Sequence, residues 1–144
     1  MAERVVFPLD TSAPLAHYRT EAGGAEVQGL FEDPDAALVI AGITLTELAR
    51  RAKELGASLS TVSHVVATYS ALCTEIIPIG PAIAKDAFEV GCETPLRLPL
   101  ADALIAACAR SRGAVLVHRD DHMRAIPARV VAQRDLAVTE SLQP

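Results

Sequence analysis

The sequence predicts an α/β domain organised around a parallel sheet, and three observations carry that prediction. Short apolar runs recur along the chain, continuous in hydrophobicity rather than alternating, as strands buried on both faces require. Between them the apolar period changes to the helical one, so strands and helices alternate and are joined by right-handed crossovers with helices on both faces. Proline and glycine punctuate the changes: Pro81 and Pro99 precede helical stretches, and Gly56 and Gly113 follow them.

Val5 to Leu9 is the first expected strand, β-branched and ending at Asp10. Pro8 fits it poorly, because proline cannot donate a ladder hydrogen bond in a central strand. A short helix follows Asp10, and Ala36 to Ile43 is the second strand. Leu45, Leu48, Ala49, Ala52 and Leu55 then form a helical stripe, stopped by Gly56. After a break at Ser58 to Ser60, Val62, Val65, Val66, Tyr69, Leu72 and Cys73 form a second stripe, so the pair reads as a helical hairpin. Glu75 to Ile79 is the third strand, and Ile83, Ala87 and Val90 mark a helix opened by Pro81. Leu100, Leu104, Ala107 and Ser111 mark another between Pro99 and Gly113. Ala114 to Val117 is the fourth strand, and either Arg129 to Ala132 or Leu136 to Val138 supplies an edge strand.

The 144 residues suit a single domain, 1–144, with a sizeable core. Hydrophobic residues at 51% and charged residues at 22% give an ordinary globular balance that needs no disulfides or structural metal. The three cysteines, Cys73, Cys92 and Cys108, form no CxxC pair, which indicates a reducing compartment, and Cys108 falls inside an apolar helix as a core residue. No secretory leader is expected in MAERVVFPLD, and Leu98 to Ala109 is too short and too interrupted by Asp102 to span a bilayer. The expectation is a soluble, cytoplasmic protein without internal repeats. A net charge of -5 argues against a broad basic surface for nucleic acid. Acids gathered around Mg²⁺ weaken that objection, since the ion inverts their local charge.

Four acids fall at the carboxyl ends of strands or in first helical turns, where open parallel sheets collect ligands. Asp10 reads equally as a site residue and as a cap for the following helix. Glu47 lies three residues after Thr44, a spacing that a capping box explains well. Asp102 has Ile105, Ala106 and Ala109 on its helical face. A carboxylate so framed needs a cation or hydrogen bonds, and a helix N-terminus contributes only about 0.3–1 kcal/mol at exposed sites. In HRDDH, either Asp120 or Asp121 serves as a cap for a short helix.

Crowded carboxylates raise one another's pKa unless a cation holds them ionised, and all-oxygen ligands favour Mg²⁺ or Mn²⁺ over zinc. The chemistry this supports is hydrolysis of a phosphodiester. Competing motifs are weaker. His118 and His122 are four apart, but Arg119 and a strand end at His118 spoil a zinc-binding helix face. Ser12 lacks a GxSxG setting, and no glycine-rich phosphate loop occurs. His17 and His64 are surface or packing residues, whereas Arg50, Arg51 and Lys53 form a solvated face within reach of a phosphate.

Together, LDTSAPL at 9–15, ITLTELARR at 43–51, LPLADALIAACA at 98–109 and LVHRDDHMRAIP at 116–127 carry a resemblance that spans nearly the whole chain. The chain resembles PIN-domain proteins, most closely the VapC-type toxin ribonucleases of toxin–antitoxin pairs. That resemblance implies a three-layer αβα sandwich with a central parallel sheet of about five strands. It also implies a Mg²⁺- or Mn²⁺-dependent endoribonuclease whose catalytic and metal-ligating residues are Asp10, Glu47, Asp102 and Asp120. The three aspartates hold the principal ion, Glu47 serves a second ion or the attacking water, and the RNA product carries a 5′-phosphate. Thr11 or Ser12 matches the small polar position that orients water beside the first acid. The expected partners are RNA, a second copy in a homodimer, and a small antitoxin wrapping the hairpin Glu47 to Leu72. The sequence departs from the family pattern at His118, where Thr or Ser is common, at Met123, where Phe is common, and at the additional acid Asp121. Two other readings compete: a non-catalytic PIN-like module binding a protein through the hairpin, and a receiver-like phosphoacceptor at Asp10 that lacks the early acidic pair and late lysine.

Overall fold

A computed structural model describes residues 3–137. Among the described residues five strands, β1 (Val5–Pro8), β2 (Ala36–Ala41), β3 (Glu75–Ile77), β4 (Leu116–His118) and β5 (Gln133–Asp135), all pair in parallel. The helices between them are α1 (Ser12–Tyr18), α2 (Gly24–Glu32), α3 (Gly42–Glu54), α4 (Leu59–Leu72), α5 (Pro81–Glu93), α6 (Leu100–Ser111) and α7 (Asp121–Arg124).

The expected single five-stranded sheet is instead a three-stranded sheet, β1–β2–β3, beside a two-stranded one, β4–β5. One parallel bridge, Leu9 to Val117, joins them. Pro8 supplies the physical reason. The N–H groups of Val5 and Leu9 donate towards β2, to Asp35 O at 2.8 Å and Val39 O at 2.9 Å, whereas that of Asp10 donates to Val117 O in β4 at 3.0 Å. Alternation gives Pro8 the same side as Asp10, and proline has no N–H to donate there. Below the bridge the strands part around a cleft of about 280 Å³, lined by Val5, Val6, Phe7 and residues 112–115.

Side-chain alternation along β2 divides the core between two faces. Ala36, Leu38 and Ile40 pack with Ala13 of α1 and Val27 and Leu30 of α2. Val39 and Ala41 pack with Val90 of α5, Ile105, Ala106 and Ala109 of α6, and Met123 of α7. Helices therefore cover both sides of the sheet. The hairpin of α3 and α4 packs Leu48 against Val65 and Tyr69, and Ser58 caps α4 by accepting from the Thr61 N–H at 3.1 Å.

Several boundaries differ from expectation. β2 ends at Ala41 because α3 begins at Gly42, so Ile43 is helical. β3 stops at Ile77 and β4 starts at Leu116, which leaves Pro78, Ile79, Ala114 and Val115 outside the strands. The edge strand occupies Gln133–Asp135, between the two expected segments, and Val138 lies outside the described residues. Leu100 is 77% exposed and Ser111 is exposed too, so of the expected α6 stripe only Ala107 falls on the buried face, which comprises Asp102, Ala103 and residues 105–109. Helix α2 was not expected. A Cβ on Gly24 would lie 2.7 Å from Ala16 O, so only glycine permits its close approach to α1. Among the described residues no helix is long and apolar enough to cross a membrane.

Candidate metal centre

Asp10 leaves the end of β1 and is 2% exposed. Its Oδ2 accepts from the Ser12 backbone N–H at 3.1 Å and from Ser12 Oγ at 2.5 Å. Asp10 therefore braces the start of α1 from one residue before its N-cap, Thr11, instead of capping it, and it also lines the cavity described below. Ser12 Oγ in turn accepts from the Arg119 N–H at 2.9 Å, which ties the start of α1 to the end of β4. Burial pushes the Asp10 carboxyl up to about 6, the Ser12 hydrogen bonds oppose the shift, and the charges of Asp120 and Glu47 add to it.

Glu47 does not form a capping box. Helix α3 begins at Gly42, which puts Thr44 inside it and Glu47 in its second turn. Instead, Thr11 Oγ1 donates to Glu47 Oε1 at 2.6 Å, with Thr44 Oγ1 at 3.4 Å from the same hydroxyl. A side chain 36 residues upstream thus fixes this carboxylate.

Asp102 lies in the first turn of α6 and is 8% exposed. Burial raises its carboxyl to about 7, and the charges of Asp10 and Asp120 reinforce the shift while His122 opposes it. Asp120 caps α7, its Oδ1 accepting from the His122 N–H at 2.7 Å. Its own N–H donates to His118 Nδ1 at 3.2 Å, which leaves His118 Nε2 to donate to Gln133 Oε1 at 2.8 Å. Burial holds the His118 pKa below the ordinary value, in keeping with a neutral ring in that tautomer. Asp121 is 92% exposed at its side chain and pairs with Arg124, outside the cavity.

Asp10, Glu47, Asp102 and Asp120 line one cavity of about 170 Å³, with Thr11, Ser12, Leu15 and Arg51. A second cavity, bounded by Glu47, Arg50, Arg51 and Glu54, shares Glu47 and Arg51 with it. The donor set suits a hard divalent cation. Two of its carboxyls are driven towards neutral pH by burial and by neighbouring negative charge, and a cation would reverse both effects.

The sequence reading weighs His122 only as a zinc partner of His118 and sets it aside, whereas the structure puts it beside two of the acids. Its Nδ1 lies 3.4 Å from Asp102 Oδ2 and 3.3 Å from Asp120 Oδ1. The available signal was its spacing from Asp120, since a capping aspartate draws the residue two positions on back towards itself. His118 and His122 do not converge: His118 is fully buried and committed to Gln133.

The fold has solved counterparts. VapBC2 from Rickettsia felis, in a structure bound to a DNA fragment from its promoter, matches with a TM-score of 0.71 and 17% identity, covering 91% of this chain and 98% of its own. A toxin–antitoxin complex from Klebsiella pneumoniae has 26% identity and a TM-score of 0.61, covering 92% of this chain and 97% of its own. Mycobacterium tuberculosis VapC20, described as a sarcin–ricin loop cleaving toxin, has 16% identity and a TM-score of 0.63, covering 83% and 94%. No curated protein matches the chain by sequence. The PIN domain family model matches residues 8–129, a stretch that contains all four acids and His122, and the chain belongs to the PIN domain family.

Proposed function

We propose that this PIN domain is the toxin of a VapBC-type toxin–antitoxin pair, a Mg²⁺- or Mn²⁺-dependent endoribonuclease that hydrolyses RNA and leaves a 5′-phosphate. The observation that carries the reading is the convergence of four carboxylates, from four separate segments, on one cavity. The resemblance in fold to toxin structures supports it.

In this reading Asp10, Asp102 and Asp120 hold the principal ion, which when bound would polarise a phosphoryl oxygen and promote ionisation of water. Ser12 keeps the Asp10 carboxylate aimed into the cavity. Thr11 keeps Glu47 turned towards the aspartates, where it would serve a second ion or align the attacking water. Arg51, on the cavity wall, is placed to meet an RNA phosphate, and its pairing with Glu54 is an exposed one that is readily exchanged. A small antitoxin would cover the hairpin of α3 and α4, and a second copy would form a homodimer in the cytoplasm.

Asp10→Asn and Asp102→Asn should each lower metal-dependent RNA cleavage by at least about 100-fold, the scale of a lost catalytic group, while circular dichroism stays native. Undiminished cleavage by both variants would sink the site assignment. Heat from Mn²⁺ titration separates the nuclease from a non-catalytic module, which should give none that depends on the carboxylates.

A further inference from the structure

The acid site is not purely an oxygen site. His122 Nδ1, Asp102 Oδ2 and Asp120 Oδ1 stand 3.3–3.4 Å apart along the two histidine contacts, and the three residues' ligand atoms all fall within 4.8 Å of one another. Adjacent ligands of an octahedral ion with bonds of about 2.1 Å lie about 3 Å apart, so these contacts need to close by only a few tenths of an ångström. The backbone of His122 is fixed by its N–H bond to Asp120, while the side chain is 58% exposed and free to adjust. Burial of a core does not explain its position, and neither does a cap, since the backbone already serves that purpose.

We infer that His122 is a nitrogen ligand to the divalent ion of this site and biases it towards Mn²⁺ over Mg²⁺. The inference rests on the metal-site reading above and adds a ligand to it. Mg²⁺ keeps oxygen ligands and gives up water reluctantly, whereas Mn²⁺ accepts imidazole more readily. One imidazole among carboxylates therefore discriminates between ions that an all-oxygen site would treat more alike. A His122 that only pairs with Asp102 and Asp120 would instead compete with the ion for them, and the two roles predict effects of opposite sign. As a ligand, its removal weakens ion binding; as a competitor, its removal strengthens it.

The test uses the full chain freed of metal and titrated calorimetrically with MnCl₂ and with MgCl₂. Wild type is compared with His122→Ala, His122→Gln and His64→Ala, the last a control on an exposed position of α4. Electron spin-echo spectra of the Mn²⁺-loaded protein provide a second readout through coupling to nitrogen. The expected result is a ¹⁴N signal in wild type and His64→Ala that both His122 variants lose. Their Mn²⁺ affinity should fall by about tenfold or more, the scale on which metal-site partners act, with Mg²⁺ affinity little changed. Mn²⁺ affinity that is unchanged or tighter in His122→Ala overturns the inference and leaves the acidic site standing. Failure of wild type to bind either ion overturns the metal-site reading and the inference with it.

Discussion

Asp102 shows how much of a site can be carried by one residue's surroundings. Its apolar neighbours on α6 were visible in the sequence, and the structure adds Asp10 and Asp120 as repelling charges. A carboxyl whose folded pKa is raised binds its proton more tightly in the native state, so its penalty to stability is absent at low pH and develops as pH rises towards the folded pKa. For Asp102 and Asp10 that window runs from about 4 to about 7 and about 6. His118 works the other way, since its lowered pKa removes stability as pH falls below the ordinary histidine value. Comparing wild type with Asp102→Asn cancels the His118 contribution. In a chelator, urea unfolding should find the variant more stable at pH 8, by on the order of 2 kcal/mol, with the gap closing towards pH 5. A gap independent of pH would show that Asp102 carries no such strain. Glu47 was harder to read, because its spacing from Thr44 fits a cap equally well. The start of α3 at Gly42 excludes the cap, and the distant Thr11 hydroxyl shows what holds the carboxylate in place.

At the level of elements, the junction between β1, α1 and β4 does the most to assemble the site. Pro8 withholds one hydrogen bond between β1 and β4, so the bridge at Leu9 and the contacts of Ser12 and Asp10 hold the two sheets together. Ser12→Ala removes the acceptor for the Arg119 N–H and the hydroxyl donor to Asp10 at once. It should destabilise the fold by about 1–3 kcal/mol in urea titrations, the range for partly buried groups left without a partner. Loss of the same hydroxyl should raise the Asp10 pKa further, because that bond now opposes its burial. A stability equal to wild type would place the strength of the junction elsewhere. The strands that were legible, β1, β2, β3 and β4, are apolar runs in the sequence, and β2 and β4 are buried along nearly their whole length. β5, with the sequence Gln-Arg-Asp, pairs with β4 through its backbone and has no such run. Helix α2 was hidden for a different reason: nine residues with two glycines bury little more than Val27 and Leu30.

Across the whole molecule, the apolar surface left uncovered says more about assembly than the net charge does. Leu100 marked the helical stripe of α6 in the sequence, yet it is 77% exposed, and Phe88 is 73% exposed on the neighbouring helix. Both border a groove of about 530 Å³ between α5 and α6, whose small residues Ala84, Ala87, Gly91 and Ala103 leave room for inserted side chains. The helical period alone could not distinguish a stripe facing this chain's core from one left on the surface. Complete burial of a leucine or phenylalanine contributes about 1.5–3 kcal/mol each, so a twofold contact that covers Leu100 and Phe88 in both copies has a substantial driving force. Phe88 is the better probe, since Leu100 lies two residues from Asp102 and a change there would perturb the site. Light scattering should give wild type the mass of two chains and Phe88→Glu the mass of one, with unchanged helical content. A variant that keeps the wild-type mass would move the dimer contact to another face, whereas a monomeric wild type would leave the groove for a different partner.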